Sequence, residues 1–313
     1  MKILITEFMD APAVARLAAK HEVVHDATLV DHPARMIALA SSVDAIIVRN
    51  RTQVRGELLA ALTRCKVVGR LGVGLDNLDL AGCEARGIRV IPATGANAQS
   101  VAEYVIATAM LLLRGAYGSS AEVAAGKWPR AALTNGREIG GKTLGLVGYG
   151  SIGQLTGRLA RLMGMQVVAH DAVMPAGSDV PSLALEALLA QSDVVSLHVP
   201  LLDSTRHLIN AQRLAAMKPG AVLINTARGG VVDEAALAEA LTAGHLAGAA
   251  LDVFEAEPLP AGRPLAGCPN LLLTPHIAGV TAEANERVSS LIAEKVLEAL
   301  DEPGLASGLR TLG

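Results

Sequence analysis

The segment Thr143 to Asp171 carries glycines and an acid whose spacing suits one task, holding a dinucleotide. The apolar run Thr143–Val147 predicts a buried parallel strand, and it leads straight into Gly148-Tyr149-Gly150-Ser151-Ile152-Gly153, a G-x-G-x-x-G turn. Gly148 allows the tight turn, Gly150 lets backbone approach a pyrophosphate, and Gly153 lets the next helix pack closely on the strand. The N–H groups of Ser151 and Ile152 open that helix as an anion site. The helix is expected over Gln154–Met163, with Leu155, Leu159 and Leu162 at helical spacing, and a second strand, Gln166–Ala169, leads to Asp171. That carboxylate, eighteen residues beyond Gly153, can accept both hydroxyls of an adenosine ribose.

Asp171 also selects the cofactor. The extra 2′-phosphate of NADP carries a charge of about −1.5 to −2. At ~4 Å and an effective dielectric of ~20, repulsion amounts to about 4 kcal/mol per unit charge. Ala172, Val173 and Met174 follow with no arginine to offset it, so the expected cofactor is NAD.

Three further segments end predicted strands with polar groups: Asn225–Gly230, Asp252–Pro258 and Thr274–Gly279. A parallel sheet opens its carboxyl ends on one edge, so these ends should meet the glycine turn. They offer Arg228, one or two carboxylates among Asp252, Glu255 and Glu257, and His276 to whatever lies beside the nicotinamide. Taken singly, each has an ordinary explanation: Arg228 as a salt-bridge partner, Glu257 as a solvated loop acid, His276 as a histidine satisfied by backbone. Their convergence at successive strand ends favours a site.

The elements that must position these groups are repeated βα units. Strands are expected at Lys2–Thr6, Glu22–His25, Asp44–Val48, Lys66–Leu71 and Ile88–Ile91, alternating with helices. A long apolar helix, Asn97–Arg114, then carries the chain to a second α/β region. Its strands after Asp171 are expected at Asp193–Leu197, Ala221–Ile224, Leu246–Val253 and Leu271–Thr274, and a final helix at Ala282–Leu300. This is an α/β protein with two doubly wound parallel sheets. Its 313 residues suit two domains, and 51% hydrophobic but 2% aromatic residues suit sheets of Val, Ile, Leu and Ala under helices. A net charge of −3 without a basic run argues against nucleic acid. Cys65, Cys83 and Cys268 lack metal or disulfide spacing, so core cysteines and no metal are expected. Early acids at Glu7 and Asp10 and the lack of a long apolar run point to a cytoplasmic protein without membrane contact.

In the first region, Arg49-Asn50-Arg51-Thr52 and Gly72-Val73-Gly74-Leu75-Asp76-Asn77 follow strands. The latter begins as G-x-G but has Asn77 in place of the third glycine and lacks an acid-tipped strand, so it is a decoy for dinucleotide binding. Its backbone N–H groups can still cradle a carboxylate. Arg49 and Arg51 are either solvated surface charges or anion ligands.

The stretches GRLGVGLDNLD, LGLVGYGSIG, VVSLHVPL, MKPGAVLINTARGGVVDE, ALDVFEAEPL and TPHIAG resemble the D-isomer-specific 2-hydroxyacid dehydrogenases over nearly the whole chain. The resemblance implies a flavodoxin-like substrate-binding domain, residues 1–97 plus 281–313, facing a Rossmann NAD-binding domain, residues 98–280, across a cleft. It implies that Arg228, Glu257 and His276 form the catalytic set, with Glu257 a better match than Glu255. Ser151, Ile152, Asp171, His198, Pro200, Thr205, Thr226, Ala227, Asp252, Ala278 and Gly279 would line the cofactor site with the three turn glycines. The implied reaction is reversible oxidation of a 2-hydroxy acid to a 2-keto acid. His276 would move the hydroxyl proton, Glu257 would orient it and favour its protonated form, and Arg228 would fork onto the substrate carboxylate.

Val73 and Gly74 would help hold that carboxylate, and Asn97 matches the Asn-led helix start of the phosphoglycerate enzymes. Those enzymes place an arginine like Arg49 near the distal phosphate. Arg51, where they have a small residue, is a departure, as is the lack of their long carboxyl-terminal domain. Two arginines suggest a second anionic group on the substrate, of phosphoglycerate or sulfolactate type. A homodimer through the Asn97 helix and the Trp128 segment is implied too. The alternative from a different class is an NAD(H)-sensing, corepressor-like binding module without metabolic turnover.

Overall fold

The computed structural model describes residues 1–262 and 264–302. The chain divides into two compact units, Met1–Asn97 joined by the segment from Val280, and Ala98–Gly279. The part of the expected substrate domain beyond residue 302 lies outside the described residues.

The first unit alternates β1 (Lys2–Ile5), α1 (Ala11–Ala18), β2 (Glu22–His25), α2 (Pro33–Ala40), β3 (Ala45–Val48), α3 (Gly56–Ala61), β4 (Val67–Arg70), α4 (Leu80–Ala85) and β5 (Arg89–Pro92). All pairs are parallel, in the order β2-β1-β3-β4-β5. This is the flavodoxin-like order, whose switch point lies between β1 and β3. Alternate side chains feed two cores. Ile3, Ile5 and Ile47 pack with α1 and with Ile292 and Val296 of the C-terminal helix Ala282–Asp301, and Leu4, Ile46 and Val48 pack with Met36 and Leu58. Cys65 and Cys83 belong to the second core, where burial pushes the Cys65 thiol up to about 12. Cys268, in the other unit, is only half-buried, because it sits in the loop before the last strand.

The second unit opens with α5 (Ala98–Arg114) and the short α6 (Ser120–Ala124), and continues through β6 (Thr143–Val147), α7 (Ser151–Leu162) and β7 (Gln166–His170). It then runs through α8 (Leu185–Gln191), β8 (Val194–Leu197), α9 (Ala211–Ala216), β9 (Val222–Asn225), α10 (Glu234–Thr242), β10 (Gly248–Leu251) and β11 (Leu271–Leu273). The six parallel strands stand in the order β11-β10-β9-β8-β6-β7. They differ from the usual dinucleotide-binding sheet, in which three strands lie on the glycine-turn side. Here β7 is the last strand on that side, followed only by a single bridge from Ala169 to Ser182, and β11 supplies the sixth strand at the opposite edge. The switch point falls between β6 and β8, beside the glycine turn.

Two expectations need correction. The helix after the turn begins at Ser151 and does not bury a leucine stripe: its buried residues are Gly153, Thr156, Gly157 and Ala160, while Leu162 is 83% exposed. Close packing of α7 on α5 and on the sheet leaves room only for small side chains. The strand expected over Leu246–Val253 is confined to Gly248–Leu251, since the chain turns toward the Asp252–Pro258 loop. No helix among the described residues is long and apolar enough to cross a membrane.

Candidate active site

The glycine turn is built by the contacts its spacing anticipates. Gly148 has φ +97°, and a Cβ there would lie 2.4 Å from the carbonyl oxygen of His198. At Gly153 a Cβ would meet the Gly148 carbonyl oxygen at 2.4 Å. Gly150 is different, because among the described residues no atom beyond its chain neighbours lies within 4 Å of where its Cβ would be. Protein packing therefore gives no reason for a glycine there, and open space for a ligand does. α7 starts at Ser151 with no side chain capping it, which leaves its first N–H groups to an anion.

Asp171 lies past the end of β7 and is tied to the turn, its Oδ2 accepting from the Tyr149 N–H at 2.6 Å and its Oδ1 from the Val173 N–H at 2.9 Å. Each oxygen keeps acceptor capacity for a ribose hydroxyl. Arg158 and Arg161 of α7, which the sequence reading passed over, line a cavity of about 320 Å³ with Tyr149, Ser151 and the 175–179 loop. Arg161 is paired with Asp179 at 2.6 Å. Helical spacing from Ser151 was the signal that could have placed them.

The residues after β8 divide. The His198 ring faces inward to Ser196 Oγ at 2.9 Å, and burial pushes its pKa down to about 4. It therefore stays neutral at neutral pH, with its ring committed to Ser196. The Thr205 hydroxyl donates to the Pro200 carbonyl at 2.6 Å and accepts from the Leu202 N–H at 2.8 Å, so it serves the turn in the first instance.

β9 ends at buried Asn225, whose side chain accepts from the Ala227 N–H at 3.0 Å and donates to the Arg228 carbonyl at 3.0 Å. That clamp, invisible in sequence, shapes the turn carrying Arg228. Arg228 Nη1 donates to the Ala227 carbonyl at 2.5 Å. A Cβ at Gly229 would overlap the Phe254 carbonyl oxygen at 1.7 Å, so the Arg228 turn lies directly on the loop that holds the acids. Thr226 Oγ1 is buried with no hydrogen-bond partner among the described residues. A buried hydroxyl of this kind fits a polar atom of a bound dinucleotide.

The geometry separates the two candidate acids. Glu257 Oε2 lies 2.7 Å from His276 Nδ1, and its Oε1 accepts from the Phe254 N–H at 3.1 Å. Glu255 instead pairs with His207 at 3.0 Å. A carboxylate beside Nδ1 assigns the proton to that nitrogen and leaves Nε2 for exchange. Asp252, buried after β10, accepts from the amides of Ile277 and Ala278 at 2.8 Å each, which ties Ala278 and Gly279 to the same edge. Glu257 and His276 thus meet directly, with Arg228 one loop contact away.

In the first unit, the turn after β3 is fastened from both sides. Glu7, 5% exposed, accepts from the amides of Arg49, Arg51 and Thr52 at 2.9, 3.2 and 3.0 Å. Asn77 Nδ2 donates to the carbonyls of Arg49 and Thr52 at 2.8 and 2.6 Å, so the residue that spoils the decoy motif has a structural task. Arg49 lies over the Phe8 ring, 5.6 Å from its centroid, and donates to Asn285 Oδ1 at 3.0 Å. Burial pulls its pKa down, partly opposed by Glu7. Arg51 turns away to the surface and forks onto Asp31. Val73 and Gly74 lie half-buried past β4, and Asn97 has a buried Oδ1 without a partner among the described residues.

Comparison with known proteins identifies the family. The family described as D-isomer specific 2-hydroxyacid dehydrogenase, NAD binding domain, matches residues 106–278. A (S)-sulfolactate dehydrogenase of Chromohalobacter salexigens is 54% identical over 95% of this chain and 98% of its own. A D-3-phosphoglycerate dehydrogenase of Mycobacterium bovis is 40% identical over 95% of this chain, which spans only 56% of that longer protein. A crystal structure of a Thermus thermophilus protein superposes with TM-score 0.85 at 36% identity, covering 96% of this chain and 97% of the other. The chain belongs to the D-isomer-specific 2-hydroxyacid dehydrogenase family, as an oxidoreductase whose second unit is the NAD-binding domain.

Proposed function

We propose that the protein interconverts a 2-hydroxy acid and its 2-keto acid, with a substrate that carries a second anionic group, sulfolactate being the best candidate. The observation that supports the reaction most directly is the 2.7 Å contact of Glu257 with His276, which leaves Nε2 as the proton-exchanging atom. Bound NAD supplies the hydride acceptor. His276 Nε2 takes the hydroxyl proton as C2 loses its hydride and the C=O bond forms, and it returns the proton in reduction. The negative charge of Glu257 stabilises the imidazolium so formed. Arg228 grips the substrate carboxylate in a two-pronged contact that lysine cannot match. Arg49 is assigned the second anion, with the amides of Val73 and Gly74 and the side chain of Asn97 as further substrate ligands.

Stereochemistry fits the family. In sulfolactate the sulfonate-bearing carbon outranks the carboxyl carbon, because sulfur precedes oxygen in the sequence rules. The (S) descriptor in the relative's name therefore denotes the spatial arrangement called D in lactate. We further assign the protein to the cytoplasm, which its free thiols suit, and to a homodimer, since Met110, Tyr117, Val123 and Trp128 expose apolar surface on and after α5.

The test is steady-state turnover of a panel of 2-keto acids with NADH. The expected result is a preference for sulfopyruvate over pyruvate, and loss of turnover in His276→Ala with NADH binding retained. Preference for pyruvate removes the second-anion reading, and retained turnover in the variant removes His276.

A further inference from the structure

We propose that Tyr104, on α5, is a positioning residue for the catalytic histidine, acting through Thr274 and Asp252; this rests on the reading of His276 as the proton carrier. The Tyr104 hydroxyl lies 2.8 Å from Thr274 Oγ1, and Thr274 Oγ1 donates to Asp252 Oδ1 at 2.6 Å. The order of donation follows from proton count. A threonine hydroxyl has one proton, and a carboxylate that already receives two amide N–H groups can only accept. The Thr274 proton therefore goes to Asp252, and Tyr104 must donate to Thr274. Burial raises the Tyr104 pKa, which keeps the phenol protonated as that donor.

The relay ends where His276 needs support. His276 has φ +56°, in the left-handed region that a residue with a Cβ occupies only when its surroundings hold it. Three successive amides converge on Asp252: that of His276 on its backbone carbonyl at 2.8 Å, those of Ile277 and Ala278 on its carboxylate at 2.8 Å each. Asp252 thus fixes the backbone turn that aims the imidazole at Glu257, and the Thr274 hydroxyl fixes the rotation of the Asp252 carboxylate. Tyr104 anchors the chain of donors to α5, a helix of 17 residues packed on α7. The sequence gives no sign of this link, which spans 170 positions from Tyr104 to Thr274.

The experiment uses the full-length protein with Tyr104→Phe, Thr274→Val, Thr274→Ser and His276→Ala, assayed for reduction of a 2-keto acid by NADH. The affinity for NADH is read by fluorescence and folding by thermal unfolding. Displacing a reacting group by about 1 Å costs up to ~100-fold. Tyr104→Phe and Thr274→Val, which loosen the turn less than that, are expected to lower kcat about tenfold with KM and the NADH Kd within about threefold. Thr274→Ser keeps the hydroxyl and is expected to retain kcat within about twofold. Wild-type kcat in Tyr104→Phe, or equal losses in the Val and Ser variants, overturns the relay. His276→Ala separates the two readings: retained turnover there removes the role of His276, whereas collapse there beside an unaffected Tyr104→Phe removes the relay alone.

Discussion

Arg51 forks onto Asp31 at the surface, while Arg49, two residues earlier on the same turn, lies over Phe8 and bonds Asn285. Two arginines that look equivalent in sequence therefore stand in different surroundings, and the proposed role toward the substrate falls to Arg49. Removing one partner of a desolvated charge pair costs about 2–5 kcal/mol. Arg49→Ala is expected to lower kcat/KM for a keto acid with a second anion by about 30- to 5,000-fold, and for pyruvate by far less. An exposed pair such as Arg51 with Asp31 contributes about 0–1 kcal/mol, so Arg51→Ala should change kcat/KM by less than about fivefold. Kinetics of both variants on both substrates check the assignment, and equal effects would contradict it.

Asp171 is expected to set the cofactor preference by charge. Its neutral variant Asp171→Asn keeps acceptor capacity but removes the repulsion of a 2′-phosphate. The ratio of kcat/KM with NAD to that with NADP is expected to fall by at least about 30-fold, a conservative reading of about 4 kcal/mol per unit charge before screening. Some activity with NAD should also be lost, because the carboxylate braces the Tyr149 amide. An unchanged ratio would place the selection elsewhere, with Arg158 and Arg161 the first residues to inspect.

His198 makes stability depend on pH. Its folded pKa, about 4, lies below the ordinary value of 6.5, so the unfolded chain binds the proton more readily. The sign follows: its contribution is complete above pH 6.5 and is lost as pH falls from there toward 4. Between pH 7 and pH 5 the loss is about 2 kcal/mol for this one group. Urea unfolding at the two pH values should show that difference, and His198→Gln should reduce it.

Trp128 is 77% exposed and Tyr117 64% exposed, unusual for large apolar side chains. If they form the dimer surface, Trp128→Glu should shift the mass measured by light scattering from two chains toward one. An unchanged mass would move the interface elsewhere.

What could be read from sequence was local. The glycine turn, α7 and Asp171 lie within thirty residues, so their spacing alone conveys their geometry. The alternation of strands and helices conveyed two parallel sheets for the same reason. Contacts between distant segments were not legible. Glu255 and Glu257 sit in one loop and differ only in which histidine the folded chain brings to each. Glu7 looks like an early surface acid, yet it is buried under a turn more than forty residues away. The misread face of α7 has another cause: leucines were given the weight of core residues, whereas the available space demanded glycine and alanine.

The main chain of the turn after β3 is held by two anchors, three of its amides by Glu7 and two of its carbonyls by Asn77. Neither anchor hydrogen-bonds a side chain of residues 49 to 51. The turn therefore behaves as a socket: its course is independent of what it displays, and substitutions at Arg49 or Arg51 exchange the displayed group without refolding the frame. Divergence in substrate among proteins of this architecture needs few mutations when recognition is mounted that way.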